Sequence, residues 1–412
     1  MRAILVLGVV LTVARGVSLQ DERAAASEDP RVRTALEFVR ANEASTIADQ
    51  VRLCEVPAPP FGERARAGVV RDMLDAAGLR NVRLDSEGNV VAERPGRSAR
   101  PHLVLAAHLD TVFPDGTPVK VTRDGTILRG PGIGDNCRGL AVLVAVARAL
   151  RSAAIETAGS ITFAATVGEE GLGNLRGVKA LLATTVKTRV DHFVAIDGSG
   201  SSITNIGVGS RRYRVTFRGS GGHSYDDFGR ANPAQALGRA VALIADLRVP
   251  STPKTTFSVG RIGGGTSVNA IPAESWMEID LRSSDEAALE RLDRSVQAIV
   301  KRAATLENAR WNQKAPLTVR SERIGDRPAG RTDQRAEVVQ AARAASRRAG
   351  MPVDLGAGST DANVAMQLKI PAIAIAAGGR GTNTHALDES FDTTGSVRGT
   401  ERALLLALAL SR

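Results

Sequence analysis

Leu103-Val104-Leu105-Ala106-Ala107-His108-Leu109-Asp110-Thr111-Val112 runs apolar for five residues and then turns onto a histidine and an aspartate. A short unbroken apolar run of this kind reads as a strand buried on both faces, as in a sheet covered by helices. The expected strand is 103–107, which leaves His108 at its carboxyl end, where open α/β sheets gather ligand-binding groups. Asp110, two residues on, is placed to hold and orient the His108 imidazole. A single histidine at a strand end is equally compatible with a structural role, so the rest of the chain has to decide.

Around this strand, short apolar runs alternate with helical patterns. A helical pattern passes through Leu36, Val39, Ile47, Val51 and Cys54 and stops at the proline-rich stretch 57–60. A second helix is expected over 63–77, closed by Gly78. Then come a helix at 139–150 and strands at 161–166 and 192–196. The alternation predicts a mixed sheet covered by helices. Near Ile206 the register changes. Strand 211–218, helix 234–247, strands 255–262 and 273–282, helix 286–305 and strand 317–324 follow, in β-α-β-β-α-β order. The first style then resumes with helix 333–349, strand 372–376 and a last helix from Val397. The fold class expected is therefore α/β, with a larger unit at 31–206 and 326–412 interrupted by an α+β unit at 207–325.

A chain of 412 residues suits two domains. Aromatics make up only 3% of it, so its core must be built from Val, Leu, Ile and Ala. The formal charge of +10 raises the question of nucleic acid. The surplus is mostly arginine, it is dispersed, and no basic run alternates with aromatics; a solvated surface is the reading, and no nucleic-acid partner is expected. At the N-terminus, Arg2 precedes an apolar run to Ala14, with small residues Ala14 and Gly16 at the −3 and −1 positions of a cleavage site. A signal peptide over 1–16 and export to the periplasm or medium are expected, without a stable membrane anchor, because the run is too short to span a bilayer. Cys54 and Cys137 give no disulfide framework and are expected as two buried free thiols.

Four more motifs place acids or histidines at strand or turn edges. Gly130-Pro131-Gly132-Ile133-Gly134-Asp135 leads into an Ala/Val/Leu helix and presents Asp135 from its start, though an N-capping aspartate would look the same. Glu169-Glu170 follows the 161–166 strand; adjacent carboxylates near buried structure are costly without a cation, whereas a solvated turn tolerates them. Asp197 follows strand 192–196 directly, and His385 lies in the Gly/Asn-rich loop 381–389. Each signal alone is ambiguous. Together they bring two imidazoles and several carboxylates to one sheet edge, the nitrogen and oxygen donors that suit zinc.

The ordered set His108-Leu109-Asp110, Gly134-Asp135, Glu169-Glu170, Asp197 and His385 resembles the M20 metallopeptidases, a family of aminopeptidases, dipeptidases, glutamate carboxypeptidases, desuccinylases and N-acyl amino acid deacylases. The resemblance runs from about residue 34 to the C-terminus and implies that the inserted unit is a lid and dimerisation domain. It implies two divalent metal ions, zinc by their donors, with Asp135 bridging them, His108 and Asp197 completing one site and Glu170 and His385 the other. Glu169 would be the general base acting on the metal-bridging water, Asp110 would steer His108, and the Asp135–Asn136 peptide would be cis. Two such ions about 3.5–4 Å apart acidify water and stabilise a tetrahedral intermediate. Further motifs of the resemblance assign substrate contacts to His223 in 219–224, Asn269 in 263–272, Arg282, and Ser359 and Asp361 in 358–363. The segment Cys137-Arg138 departs from relatives that carry Met or Lys there.

Asp at position 197 resembles the amino- and dipeptidases, and short peptides are the expected substrates. The alternative is an N-acyl amino acid deacylase or glutamate-type carboxypeptidase, which needs a cation such as Arg282 or another lid arginine for the substrate carboxylate. A non-catalytic scaffold would show gaps in the ligand set, and there are none. A homodimer through the inserted unit fits the resemblance, as does a monomer.

Overall fold

The computed structural model describes residues 29–311 and 316–412. The expected signal peptide at 1–16 lies outside the described residues, and so does nearly all of the polar stretch after it.

The central sheet has the strand order Arg80–Leu84, Val90–Arg94, Ser160–Thr166, His102–His108, His192–Ile196, Ala372–Ile375, Ser202–Gly207, Gly330–Arg331, with Asp354–Gly358 also paired to Ser202–Gly207. His102–His108 is parallel to both of its neighbours, while the outer strands bring in antiparallel pairs, so the sheet is mixed. All seven residues of His102–His108 are buried. The side chains alternate between faces as a pleated strand requires. Leu103, Leu105 and Ala107 join the core under the helices Pro30–Ala41, Arg64–Ala76, Arg138–Ser152 and Val397–Leu410. Val104 and Ala106 join the core on the other face, with Ala362, Val364 and Ala365 of the short helix Ala362–Gln367.

Helix Arg138–Ser152 is the hub of the first face. Pro30–Ala41, Glu43–Cys54 and Val397–Leu410 all pack against it, and its Leu, Val and Ala residues are almost all buried. Small aliphatic side chains let helices approach closely from several sides, which is how a chain so poor in aromatics fills its core. The N-terminal helical pattern is not one helix. It breaks at Asn42, whose backbone leaves helical geometry at φ −106 and ψ 12 and whose amide closes on Phe38 O. The arginine surplus is not entirely surface either. Arg66, Arg138 and Arg402 are fully buried; all three donate to carbonyl oxygens, and Arg138 also pairs with Glu43. Cys54 and Cys137 are both buried and free. Among the described residues no helix is long and apolar enough to cross a membrane.

Between Ser202–Gly207 and Gly330–Arg331, themselves antiparallel neighbours in the central sheet, the chain makes a separate unit. Its four strands lie in the order Thr255–Gly264, Glu274–Ser283, Gly209–Arg218, Thr318–Arg327, all antiparallel. Helices Pro233–Ala245 and Glu286–Trp311 cover it, and Val215, Phe217, Met277, Ile279, Leu289 and Val296 form a core of their own. The last strand runs to Arg327, past the expected limit of 325. The β-α-β-β-α-β order expected from the sequence is the order observed.

Several short strands had no signal in the sequence. Thr122–Asp124, Ile127–Arg129, Arg380–Thr382 and Ser390–Asp392 form a small antiparallel sheet that frames the 130–135 turn and the 383–389 loop. The central core sets the fold's stability. Phe163→Ala in strand Ser160–Thr166, where Phe163 is fully buried, is expected to cost about 3–5 kcal/mol in urea denaturation. A loss under about 1 kcal/mol would contradict this packing.

Candidate metal centre

Three neighbouring parallel strands deliver most of the site. His108 is the last residue of its strand and pairs in register with Thr166, the last of Ser160–Thr166, so Glu169 and Glu170 emerge beside it. Asp197 follows His192–Ile196, with its amide donating to Ile375 O at 2.9 Å. Asp135 comes from the turn before helix Arg138–Ser152, and the Asp135–Asn136 peptide is cis, as expected. The Asn136 side chain donates to Ile196 O at 2.8 Å and accepts from Gly139 N at 3.1 Å, so it locks this turn to the strand that carries Asp197. A Cβ on Gly139 would stand 2.1 Å from Asn136 Oδ1, so only glycine fits there. His385 sits at φ 70, a left-handed conformation rare outside glycine. Its loop is braced by the Asn383 side chain donating to Asp388 at 2.8 Å.

All five expected ligands converge. His108 Nε2 lies 2.9 Å from Asp135 Oδ1 and 3.4 Å from Asp197 Oδ1. His385 Nε2 lies 3.2 Å from Asp135 Oδ2 and 2.9 Å from Glu170 Oε1. The two oxygens of one carboxylate thus address two separate imidazole-and-carboxylate groups. Ligand atoms of His108, Glu169 and Glu170 also fall within 4.8 Å of one another. Burial grades across the site: the His108 side chain is 2% exposed and that of His385 49%, so the His385 side opens to solvent.

The electrostatics call for positive charge. Burial works to raise Asp135, yet the two imidazoles hold it well below the usual carboxylate range. Burial raises Asp197, and it raises Glu169 well above its ordinary value, with Arg327 opposing and Glu170 adding to the rise. Hydrogen bonds to Asp135 and Glu170 push His385 up to about 10. Three ligand carboxylates and a buried fourth acid crowd two imidazoles, an arrangement that divalent cations relieve. The His108 tautomer fits as well. Its Nδ1 lies 3.1 Å from Asp110 O, a carbonyl that can only accept, so Nδ1 donates there and Nε2 is the nitrogen turned to the Asp135 and Asp197 carboxylates. The donor set is one that zinc accepts.

Around the ligands stand supporting groups, one foreseen and others missed. Asp110 is fully buried and accepts the amides of Glu169 at 3.0 Å and Glu170 at 2.7 Å, so it supports both of these residues as well as His108. Glu389 had no assigned role; its carboxylate accepts Gly132, Gly134 and Asp135 amides at 3.2, 2.8 and 3.1 Å and holds the turn that presents Asp135. Arg66 donates to Leu109 O at 2.7 Å, behind His108. Arg327, from the end of the inserted unit's last strand, bonds Glu169 Oε1 at 3.1 Å. Arg138 points instead into the helical layer, to Glu43 and Ser396 O, so the Cys137-Arg138 departure touches packing and not the ligands.

The expected substrate residues are distributed differently. His223 and Asn269 are both exposed, and their segments Gly222–His223 and Ala270–Ile271 pair as a small ribbon on the inserted unit, with His223 opposite Ala270. Neither is bonded to the ligand set; His223 pairs with Asp226 and Asn269 with Ser267. The Arg282 guanidinium is engaged by Asp280 at 2.6 Å. Ser359 accepts from Arg327 at 3.2 Å. Asp361 is buried beneath the site, taking a hydrogen bond from Thr166, and burial raises it to about 7. Of the five, then, Ser359 and Asp361 lie against groups of the centre, while the other three stay with the inserted unit.

The double amide contact of Asp110 makes a sharp test. Asp110→Asn keeps one acceptor oxygen and sets an NH2 group against buried amides, which is expected to cost about 1–3 kcal/mol of stability. The affinity for zinc, followed by calorimetric titration, should fall about 10–100-fold. Unchanged affinity would show that Asp110 does not organise the ligands.

The model of peptidase family M20/M25/M40 matches residues 104–409. The chain is 29% identical over 231 residues to succinyl-diaminopimelate desuccinylase of Nitrosococcus oceani, and this match takes in 51% of the chain and 61% of that protein's length. Its fold is similar to that of aminopeptidase PepT from Bacillus cereus, with a TM-score of 0.72 at 20% identity over 89% of this chain and 98% of the other. It is also similar to the YxeP protein of Bacillus subtilis, described as a dinuclear metal binding peptidase, with a TM-score of 0.67 at 18% identity over 90% and 99%. The family match spans most of the chain and contains His108, Asp135, Glu170, Asp197 and His385, and the chain belongs to peptidase family M20/M25/M40.

Proposed function

We propose that this chain is a two-metal hydrolase that cleaves the peptide bonds of short peptides. The observation that carries the reading is the Asp135 carboxylate divided between His108 and His385, with Glu169 buried against the same group. Asp135 would be shared by the two ions, His108 and Asp197 holding one, Glu170 and His385 the other, with zinc favoured by the donor types. When bound, the ions supply Lewis acidity to the amide carbonyl and lower the pKa of water.

The chain's own residues do the rest. Glu169 takes a proton from the attacking water and returns it to the departing amine nitrogen, so the amide C–N bond breaks without releasing an amide anion. Its burial favours proton affinity in a carboxylate that must both accept and give. Asp110 fixes His108 and the Glu169-Glu170 amides at once, which keeps base and ligands in one frame. Support for a peptide substrate comes from Asp197 and from fold relatives described as peptidases.

A second reading, removal of an N-acyl group from an amino acid, is favoured by the desuccinylase relative. It needs a cation for the substrate carboxylate, and Arg282, whose Nε is held by Asp280, is the expected one. A homodimer through the inserted unit fits either reading, because Thr255–Gly264 is an edge strand of its sheet.

The test joins metal analysis to a panel of di- and tripeptides and N-acyl amino acids, run on the wild type and Glu169→Gln. Two divalent ions per chain are expected in both proteins, with turnover lost only in the variant. Turnover retained by Glu169→Gln would remove Glu169 as the base, and one ion or none would remove the two-metal centre.

A further inference from the structure

The turn that carries Glu169 is held from opposite sides. On one side its amides donate to Asp110. On the other, its carbonyls are taken by two arginines of the inserted unit: Arg327 Nη2 donates to Glu169 O, and Arg212 Nη1 donates to Gly171 O at 2.7 Å. Arg327 does more. Its Nη1 donates to Glu169 Oε1 at 3.1 Å and to Ser359 Oγ at 3.2 Å, so one guanidinium joins the base's side chain, its main chain and the 358–363 loop. Arg327 is 5% exposed, paired in register with Ser210 at the mouth of the inserted unit. Next to it, Asp326 N donates to Asn174 Oδ1 at 2.7 Å and Asp326 O accepts from Lys179 at 2.8 Å. The whole end of this strand is therefore docked on the segment that follows Glu169.

We propose that Arg327 is a positioning residue for Glu169, through which the inserted unit sets the orientation of the general base; this rests on the reading of Glu169 as that base. A planar guanidinium can satisfy three acceptors in fixed directions, which a lysine ammonium on a flexible stem cannot do. Binding Oε1 fixes the carboxylate plane and leaves Oε2 for the proton. Misplacement of a reacting group by about 1 Å can cost about 10²-fold in rate, so a grip at both ends of the residue is a grip on turnover. The competing role for a buried guanidinium is to anchor a substrate carboxylate, and Nε of Arg327 is buried with no hydrogen-bond partner among the described residues. The two roles differ in kinetics, because an anchor of substrate acts on KM and a positioner of the base acts on kcat.

Arg327→Met and Arg327→Lys are compared with the wild type and Glu169→Gln by metal content, thermal melting, kcat and KM, and by hydrogen exchange of residues 168–173 in the metal-free proteins. Arg327→Met is expected to retain both ions, lose about 10²-fold in kcat with KM close to wild type, and exchange faster at 168–173. Arg327→Lys keeps the charge and most of the bulk, so it carries the test if the Met variant does not fold; it should recover part of the lost kcat. A wild-type kcat in folded Arg327→Met overturns the proposal. So does a raised KM with kcat preserved, which would make Arg327 a substrate anchor. Turnover in Glu169→Gln would instead withdraw the base assignment, an outcome distinct from either.

Discussion

One carboxylate organises this molecule's centre. Asp135 gives one oxygen to His108 and the other to His385, residues far apart in the chain, one at a strand end and the other in a loop. A carboxylate can serve two partners only if its plane is fixed, and here the main chain fixes it. Glu389 takes the amides on one side of the turn, Asn136 ties the other side to the strand before Asp197, and Gly139 lets that strand approach. Loosening any of these would tilt Asp135 and disturb both groups together, because they share it.

The same economy appears at Glu169 and Glu170. Adjacent buried acids are unfavourable on their own, and their amides must also be satisfied where water is scarce. Asp110 meets the second requirement with both oxygens while its carbonyl sets the His108 tautomer. Arg327 and Arg212 meet the corresponding need of the carbonyls from the inserted unit. The turn is completed by two parts of the chain that otherwise have separate cores.

How much of this the sequence displayed depended on the range of the interaction. Strands such as His102–His108 and His192–Ile196 are continuous apolar runs whose burial is written locally, and the five ligands stand at their ends or in glycine-rich turns. The β-α-β-β-α-β order was legible for the same reason, since each element has its own period. What stayed hidden is set by tertiary contact. Arg80–Leu84 is a short, largely exposed edge strand with little apolar signal, and the break at Asn42 is a backbone choice inside an uninterrupted helical pattern. Glu389 was visible as a residue of the His385 loop, but its three amide partners lie more than two hundred and fifty positions away in sequence. Arg327 looks like any arginine ending a strand until Glu169 is brought to it. The arginine surplus misled in the same way, since nothing local distinguishes Arg66 or Arg402 from a solvated side chain.

The candidate ligands and most of the expected substrate residues fall to different pieces of the chain. His108, Glu169, Glu170 and Asp197 stand at the ends of central-sheet strands and Asp135 and His385 in turns framed by the small sheet beside it, whereas His223, Asn269 and Arg282 belong to the inserted unit. Arg282 is already occupied by Asp280, and His223 and Asn269 face outward on their ribbon, so none of the three touches the centre in this arrangement. Substrate contact through them requires either a movement of the inserted unit toward the sheet or a second copy presenting its ribbon. Movement has a mechanical consequence, because Arg327 at the root of that unit is bonded to Glu169. A shift that brought Arg282 or His223 inward would act on the last strand and hence on Glu169. On the function proposed above, substrate capture and the orientation of Glu169 would then be coupled through one guanidinium.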